Sequence, residues 1–408
     1  MPTCTGCSLL CEDIELSLKT GTISQAKNLC RKGHGHFQAL FTERTSPSVD
    51  GQKVSIDEAI KKAAELLRNS EAPLLYGWSN STLEAQSAGI ELAKKLGAVI
   101  DDTSSFCRSL LLEMVLRGEI PTCTLDDVRN FADTSVFWGA DPSNSHPRHL
   151  SRFAYYPRGE KRQKSYEEER TCIVIDVRKS STATLCENYF KVPPGGDASF
   201  IESIISVLDS KIPKIGDKKK MIELGTILRK TEFGVIFPGL GMIYSLKENI
   251  GLLKSLVAKL NEITTFKVIP MVEHYNMRGF NELLLAQTGY INQVSFEGGT
   301  VKHGPEYSIV AVAAAKTCDT AMVIGSDPLS VLPFGTARSL AKIQLIAIDS
   351  RRSLTTDAAK VVIPSAMYGL EAGGSAIRMD GMKIKFDPFL KSDLPSDEEI
   401  LNRIKEEI

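Results

Sequence analysis

Neither sign of charge dominates this sequence: 49 lysines and arginines stand against 50 aspartates and glutamates. Holding nucleic acid or an anionic membrane surface calls for a basic excess, so both partner classes lose their electrostatic case. Long apolar runs are missing too, and none approaches the roughly 18 residues needed to span a bilayer. The N-terminus lacks a basic segment followed by an apolar one, so no secretory signal is read and the expected compartment is the cytoplasm. A paired set of cysteines is also absent. The nine cysteines, at positions 4, 7, 11, 30, 107, 123, 172, 186 and 318, are odd in number and unevenly clustered. In a long cytosolic chain that pattern argues for metal binding or catalysis and against a disulfide framework.

What is present reads as α/β. A length of 408 residues suggests two to four domains. Short apolar runs rich in β-branched residues end in Gly, Asp or Pro, among them "APLLYGWSNS", "TSVFWGADP", "TCIVIDVR", "FGVIFPGLG" and "TAMVIGSDP". Helical stretches lie between many of them. Ser55 with Glu58 forms a capping box, Ser81 with Glu84 repeats the device, and Gly97 is placed to end the second helix. Strands alternating with such helices imply parallel sheets covered on both faces. Ligands then bind at the carboxyl ends of the strands.

Those ends carry an internal repeat. "DTSVFWGADP" (133–142) recurs as "DTAMVIGSDP" (319–328), a shared D-T-x4-G-[AS]-D-P. Each copy is followed by a strand ending in I-D-x-R-[KR]-S, a Thr-containing loop and a short strand ending in Pro. Two pairs in the same order imply a duplication. Gly139 and Gly325 lack a Cβ and admit close backbone approach by a ligand. Asp141 and Asp327 follow as acceptors, before Pro142 and Pro328. Asp176 and Asp349 end the next strand, where a carboxylate suits ribose hydroxyls or a base edge, and Arg178 and Arg351 suit phosphate. The plainer alternative is a tight Gly-Asp-Pro turn. The repetition favours nucleotide-type ligands: two of them, or one cofactor with two arms.

Cys4, Cys7 and Cys11 form a C-x2-C-x3-C run, with Cys30 the nearest fourth ligand. Structural zinc usually takes two closely spaced ligand pairs, whereas three ligands from one loop and a distant fourth suit a cubane 4Fe–4S cluster. Zinc held by three cysteines plus His34 or His36 is the alternative. Lys32, beside Cys30, would stabilise an anionic cluster and bridge it to a second redox group; otherwise it is a solvated loop lysine. Cys107 stands at a strand-to-helix junction, where a helix N-terminus favours thiolate, or else it is an inert buried thiol. Cys123, Cys172, Cys186 and Cys318 read as packing residues, and His146 and His149 of "SHPRHLSR" as surface or ligand contacts. The charged stretch 155–170 reads as a solvated excursion.

These pieces together resemble the molybdopterin-dependent oxidoreductases of the formate dehydrogenase type. More closely, "PTCTLDDVRNFADTSVFWGADPSNSHPRHLSR" and "NMRGFN" look like the family of subunits lettered B in formylmethanofuran dehydrogenase, and the resemblance covers essentially the whole chain. It implies one 4Fe–4S cluster on Cys4, Cys7, Cys11 and Cys30, and tungsten or molybdenum ligated by Cys107. It implies two molybdopterin guanine dinucleotides, one on each duplicated domain. Their contacts would include Lys32, Gly139, Asp141, Pro142, Ser143, His146, Asp176, Arg178, Gly195, Gly196, Asp197, Gly239, Gly241, Gly325, Asp327, Pro328, Asp349 and Arg351. Arg278 would orient a carboxylate such as formate. The implied reaction is reversible two-electron reduction of carbon dioxide to formate, with electrons arriving through the cluster from polyferredoxin-type subunits. Formate would pass to an amidohydrolase-like subunit for joining to methanofuran. The implied architecture is an iron–sulfur domain over 1–50 and two α/β parallel-sheet domains over 51–230 and 231–408, part of the latter returning to the N-terminal domain. The chain is expected to lack the C-terminal β-barrel that covers the pterins, so that a β-barrel subunit is an obligate partner. In one position the sequence departs from the family: Arg108 follows Cys107 where the family has a histidine, and a guanidinium is a poor acid but suits binding of an anionic substrate, which keeps Arg108 among the catalytic candidates. Some relatives have lost the metal chemistry and serve as scaffold in a formyltransferase/hydrolase complex; the full cysteine set argues against that here.

Overall fold

Ten strands carry the architecture: β1 (Pro73–Gly77), β2 (Val99–Asp102), β3 (Thr134–Trp138), β4 (Thr171–Asp176), β5 (Asn188–Lys191), β6 (Phe233–Pro238), β7 (Thr265–Val268), β8 (Thr320–Ile324), β9 (Gln344–Ile348) and β10 (Val361–Ile363). The structure is a computed structural model describing residues 2–19, 21–106, 109–213 and 217–408. Cys107 and Arg108 lie outside the described residues. β1, β3 and β8 are buried at every position, as expected of parallel strands covered on both faces.

The chain divides into two compact units. Unit 1 comprises Met1–Phe106, His274–Arg378 and Lys383–Ile408; unit 2 comprises Cys107–Glu273 and Met379–Met382. Unit 2 is built on a parallel sheet of order β7-β6-β3-β4-β5. Unit 1 contains the parallel order β2-β1-β8-β9-β10. Antiparallel pieces extend it, Val294–Ser295 beside β2 and Ser48–Val49 beside β10. The two orders superimpose strand for strand: β3, β4 and β5 match β8, β9 and β10, while β6 and β7 match β1 and β2. The α/β class and the duplication are therefore as expected.

The boundaries are not. Residues 51–230 and 231–408 do not form the two sheet units, nor do residues 1–50 stand apart, since they belong to unit 1. β1 finds its neighbour β8 across some 240 residues, pairing Leu74 with Ala321. Unit 2 is inserted after β2, and its own strands run in permuted sequence. Each unit has its own apolar core. In unit 2, Val136, Ile173, Ile175, Ile236 and Phe266 meet Ile201, Ile204, Leu224 and Leu256. In unit 1, Leu75, Ile100, Met322 and Ile346 meet Ile60, Ala63, Phe280 and Leu401.

Local signals mostly hold. The helix Ile56–Arg68 starts with the Ser55–Glu58 capping box. The helix Leu83–Leu96 ends at Gly97 with φ 65°, but its N-cap is Thr82, one residue later than expected. Ser81 instead donates to Asp397, and Glu84 accepts from the Ser375 amide. Cys172 and Cys186 are joined by a disulfide, which corrects their reading as packing residues. The cause is register: β5 lies beside β4 with Asn188 opposite Ile173, bringing the two Cα atoms to 5.2 Å. The 155–170 stretch is held to its own unit rather than solvated throughout. Arg170 is buried and donates to the carbonyls of Val128 and Ala132, and Arg162 donates to the Phe131 carbonyl.

Candidate functional site

The N-terminal cysteines fold into a closed loop. Cys4 N donates to the Cys11 carbonyl at 2.9 Å and Leu10 N to the Cys7 carbonyl at 3.2 Å. Leu10 turns with φ 44° and packs with Tyr275, Ala366, Tyr368 and Ile384. Cys30 caps the helix Arg31–Thr42, its Sγ accepting from Gly33 N at 3.4 Å. Gly33 has to be glycine because a Cβ there would sit 2.8 Å from Cys4 Sγ. The helix start and the loop thus meet at Gly33. Cys4, Cys7 and Cys11 are buried and Cys30 is half-buried.

The four thiols lie within electrostatic reach of one another. Burial pushes the Cys4 thiol well up, and Cys7, Cys11 and Cys30 push it further. Burial likewise takes Cys7 up to about 12, with Lys32 pulling the other way. Burial of Cys4 and Cys7 disfavours their thiolates in the protein alone, and a cationic inorganic group would favour them. Among the described residues no group of three or more His, Cys, Asp or Glu converges as a single ion would need. Thiols that act on one another as these do are a donor set that either a cubane or a zinc ion takes. His34 is exposed, and His36 Nε2 lies 3.0 Å from Thr5 Oγ1. Burial lowers His36 to about 3, helped by the charges of Arg351 and Lys32. Arg351 belongs to the strand-end loop of unit 1, so His36 senses both the helix start behind Cys30 and that loop.

The two strand-end loops repeat atom for atom. Gly139 N donates to the Ile175 carbonyl at 2.8 Å, and Gly325 N to the Ile348 carbonyl at 3.0 Å. Asp141 Oδ1 accepts from Thr182 Oγ1 at 2.6 Å and Thr182 N at 3.1 Å. Asp327 Oδ1 accepts from Thr355 Oγ1 at 2.6 Å and Thr355 N at 3.0 Å. Pro142 and Pro328 each open a four-residue helix. The same hydroxyls also accept from Ser143 N at 3.1 Å and Leu329 N at 3.3 Å. Asp176 accepts from Arg178 N at 3.3 Å and Asp349 from Arg351 N at 2.9 Å. Burial raises the Asp349 carboxyl to about 6. Thr182 and Thr355 were not singled out from sequence, although D-x-R-[KR]-S-x-T occurs in both copies.

Several residues expected at the ligand sites also have partners within the protein. In unit 2 a Cβ on Gly139, at φ 56°, would lie 2.2 Å from Met242 N, and one on Gly239 would lie 2.3 Å from the Gly139 carbonyl. Gly241 N donates to that same carbonyl at 3.1 Å. Gly139, Gly239 and Gly241 therefore admit one loop's backbone to another's. His146 is buried, with Nδ1 2.9 Å from Ser145 Oγ and Nε2 2.9 Å from the Val272 carbonyl, so both ring nitrogens face protein. His149 is not at the surface but packed edge-on against Phe137 and Phe237. Asp197 accepts from Trp138 Nε1 at 2.5 Å, tying it to the core. Gly196 N closes a turn onto Pro193, and Gly195 (φ 75°) has open space around it. Arg278, in the helix Met277–Thr288, is buried and pairs with Glu282 at 2.7 Å. Cys107 and Arg108 fall outside the described residues; the turn Thr103–Phe106 precedes them and the helix Ser109–Leu116 follows.

No protein-family model matches the chain. It is 35% identical, over 94% of its length and 91% of the relative's, to the subunit lettered B of the tungsten-containing formylmethanofuran dehydrogenase 2 of Methanocaldococcus jannaschii. The same subunit of the Methanococcus maripaludis enzyme is 31% identical over 98% of this chain and 96% of that one. The chain belongs to this formylmethanofuran dehydrogenase subunit family. A nitrate reductase of Klebsiella oxytoca is 24% identical over 50% of this chain and 25% of that protein. The fold is similar to that of one chain in the crystal structure of the formyltransferase/hydrolase complex FhcABCD from Methylorubrum extorquens in complex with methylofuran. That match has a TM-score of 0.70 at 22% identity and covers 88% of this chain and 98% of that one. Among the described residues no helix is long and apolar enough to cross a membrane.

Proposed function

We propose that this chain is the redox subunit of a multisubunit formylmethanofuran dehydrogenase, interconverting carbon dioxide and formate. Cys4, Cys7, Cys11 and Cys30 would hold one 4Fe–4S cluster, with Lys32 offsetting its charge. The strand-end loops around Asp141 and Asp327 would each take the nucleotide arm of one molybdopterin guanine dinucleotide, with Asp176, Arg178, Asp349 and Arg351 at their rims. Cys107 would ligate tungsten or molybdenum, and Arg278 would orient formate. When bound, these groups supply one-electron transfer and a two-electron metal centre. The protein's share is binding, orientation and exclusion of water. Formate would leave for an amidohydrolase-like subunit; a β-barrel subunit would cover the pterins and polyferredoxin-type subunits would bring electrons.

The observation that carries this reading is that two charges from different segments reach His36. Lys32, beside the gathered thiols, and Arg351, on the strand-end loop of unit 1, both act on it. A cluster on those thiols would lie next to one of the two duplicated loops, as an electron relay requires. Elemental analysis of the anaerobically purified complex tests it. One tungsten or molybdenum and at least four irons per copy of this chain are expected, the partner subunits' own clusters adding to the iron. Iron without either metal favours a non-redox subunit of a formyltransferase/hydrolase assembly, and zinc alone overturns the cluster. Formate-linked viologen reduction that survives Cys107→Ala removes Cys107 from the centre.

A further inference from the structure

The helix Met277–Thr288 carries Arg278 in its first turn, and its N-cap residue, Asn276, does not cap it with its side chain. An asparagine in that position ordinarily turns its side-chain oxygen back onto the amides of the first turn. Here the side chain is fully buried and bonded elsewhere. Oδ1 accepts from Ile377 N at 2.7 Å, at the end of the short strand Gly374–Ile377, and Nδ2 donates to the Ser81 carbonyl at 2.7 Å. The backbone joins in: Asn276 N donates to the Ser79 carbonyl at 3.1 Å, and the Asn276 carbonyl accepts from Gln86 Nε2 at 3.0 Å. Each of its four polar groups therefore has a partner far away in sequence.

The segment it grips is strained. β1 ends on Gly77 at φ 127°, where a Cβ would lie 2.0 Å from the Ile324 carbonyl oxygen of β8. Trp78 follows at φ 66°, a left-handed conformation that a bulky side chain rarely adopts. Its carbonyl accepts from Ser81 N at 2.9 Å and from Gln86 Nε2 at 2.8 Å, and its ring stacks on Phe280 with centroids 6.0 Å apart. Phe280 belongs to the helix of Arg278, so ring and carboxamide hold that helix to the carboxyl end of β1. Asn281 does the same for β2: Nδ2 donates to Ser104 Oγ at 2.9 Å, in the turn that follows β2, and to the Ile291 carbonyl at 2.7 Å. The two asparagines of "NMRGFN" are thus anchors on either side of the arginine, at strand ends where parallel sheets bind ligands. Arg278 Nε donates to Glu282 Oε1 at 2.7 Å, which fixes the side chain relative to its own helix. The Asn276 bonds fix that helix relative to the strand ends.

We propose that Asn276 is a positioning residue for Arg278: it locks the first turn of the helix onto the end of β1 and so holds the guanidinium in place for a carboxylate substrate. The substrate role of Arg278 rests on the function proposed above; the lock does not. Gly279 is part of the lock, since a Cβ there would lie 2.1 Å from Asn276 Oδ1. Hydrogen bonds from a guanidinium to a carboxylate depend on a planar, directed geometry, so a small displacement of the helix weakens them.

A double-mutant cycle, read by the steady-state kinetics of formate-linked viologen reduction in the purified complex, tests the proposal. Asn276→Ala is expected to raise KM for formate about tenfold with kcat little changed. Arg278→Lys is expected to raise it at least as far. In the double variant KM is expected to match that of Arg278→Lys alone, because a lock that acts through Arg278 has nothing left to hold. A merely structural role would multiply the two effects, or reduce the yield of folded complex with KM unmoved, and either result overturns the proposal. Gly279→Ala keeps every donor and acceptor and displaces the carboxamide. It is expected to raise KM in the same way, and it decides the matter if Asn276→Ala does not fold. Hydrogen exchange reads the lock without any activity: Asn276→Ala is expected to speed exchange at the Ile377 amide and at residues 277–280. Unchanged exchange overturns the lock. Faster exchange beside a wild-type complex with no formate activity overturns the proposed function and leaves the lock standing. Faster exchange beside an Arg278→Lys variant with unmoved KM overturns the substrate role of Arg278 alone.

Discussion

At the scale of single residues, the hubs of the strand-end loops are two threonines that are fully buried, Thr182 and Thr355. Each gives its aspartate a hydroxyl and an amide and takes an amide from the following short helix. The aspartates therefore have their shape fixed by the protein, and Asp141 Oδ2 accepts in addition from Asn144 Nδ2 at 2.7 Å. Replacing either threonine by valine keeps the volume but leaves a carboxylate short of one donor. Such a substitution is expected to cost about 1.5–3 kcal/mol, read from urea unfolding, and serine is expected to recover most of it. The aspartates were legible from the sequence because they sit in a repeated pattern. The threonines were not, because nothing local distinguishes a hub hydroxyl from the others in "SSTAT" and "SLTTD". His146 shows the opposite limit: its pattern left surface and ligand contact open, and the structure buries it beside Ser145 and the Val272 carbonyl.

At the scale of elements, the two loops share a backbone but differ in how they are closed. In unit 2 the loop after β3 meets the loop after β6 through Gly139, Gly239 and Gly241. In unit 1 Gly325 meets Asn80, whose side chain donates to the Gly325 carbonyl at 2.9 Å. One glycine pattern thus serves close approach in both, but what approaches is the protein's own chain. Gly139→Ala combines a left-handed φ of 56° with a clash against backbone, so it is expected to cost about 3 kcal/mol or more in chemical denaturation. Gly195→Ala, at φ 75° with open space around it, is expected to cost only about 1 kcal/mol. Equal costs at the two positions would show that strain alone, without the backbone clash, sets the requirement at Gly139.

At the scale of the whole molecule, the chain lays down β1 and β2, then all five strands of unit 2, and only then β8, β9 and β10. Stability should follow that arrangement rather than sequence order. Leu75 is fully buried in unit 1. Leu75→Ala is expected to cost about 2–5 kcal/mol, and to lower hydrogen-exchange protection in β1, β2, β8, β9 and β10 together. Protection in β3 to β7 is expected to stay unchanged. Loss confined to β1 and β2 would contradict the pairing of β1 with β8.

The sequence by itself determined the α/β class, the duplicated strand-end loops and the cysteine set, because each is written in short-range patterns: apolar runs, capping residues and motif spacing. Only the tertiary structure decided which strands share a sheet, since a parallel ladder joins segments of any separation and closing a longer loop adds little entropy. The same holds for the boundaries of the two units, the Cys172–Cys186 bridge and the neighbours of His36, which depend on register and packing between distant segments. Burial of Asp101 and Asp102 belongs here too, because it depends on what encloses the end of β2.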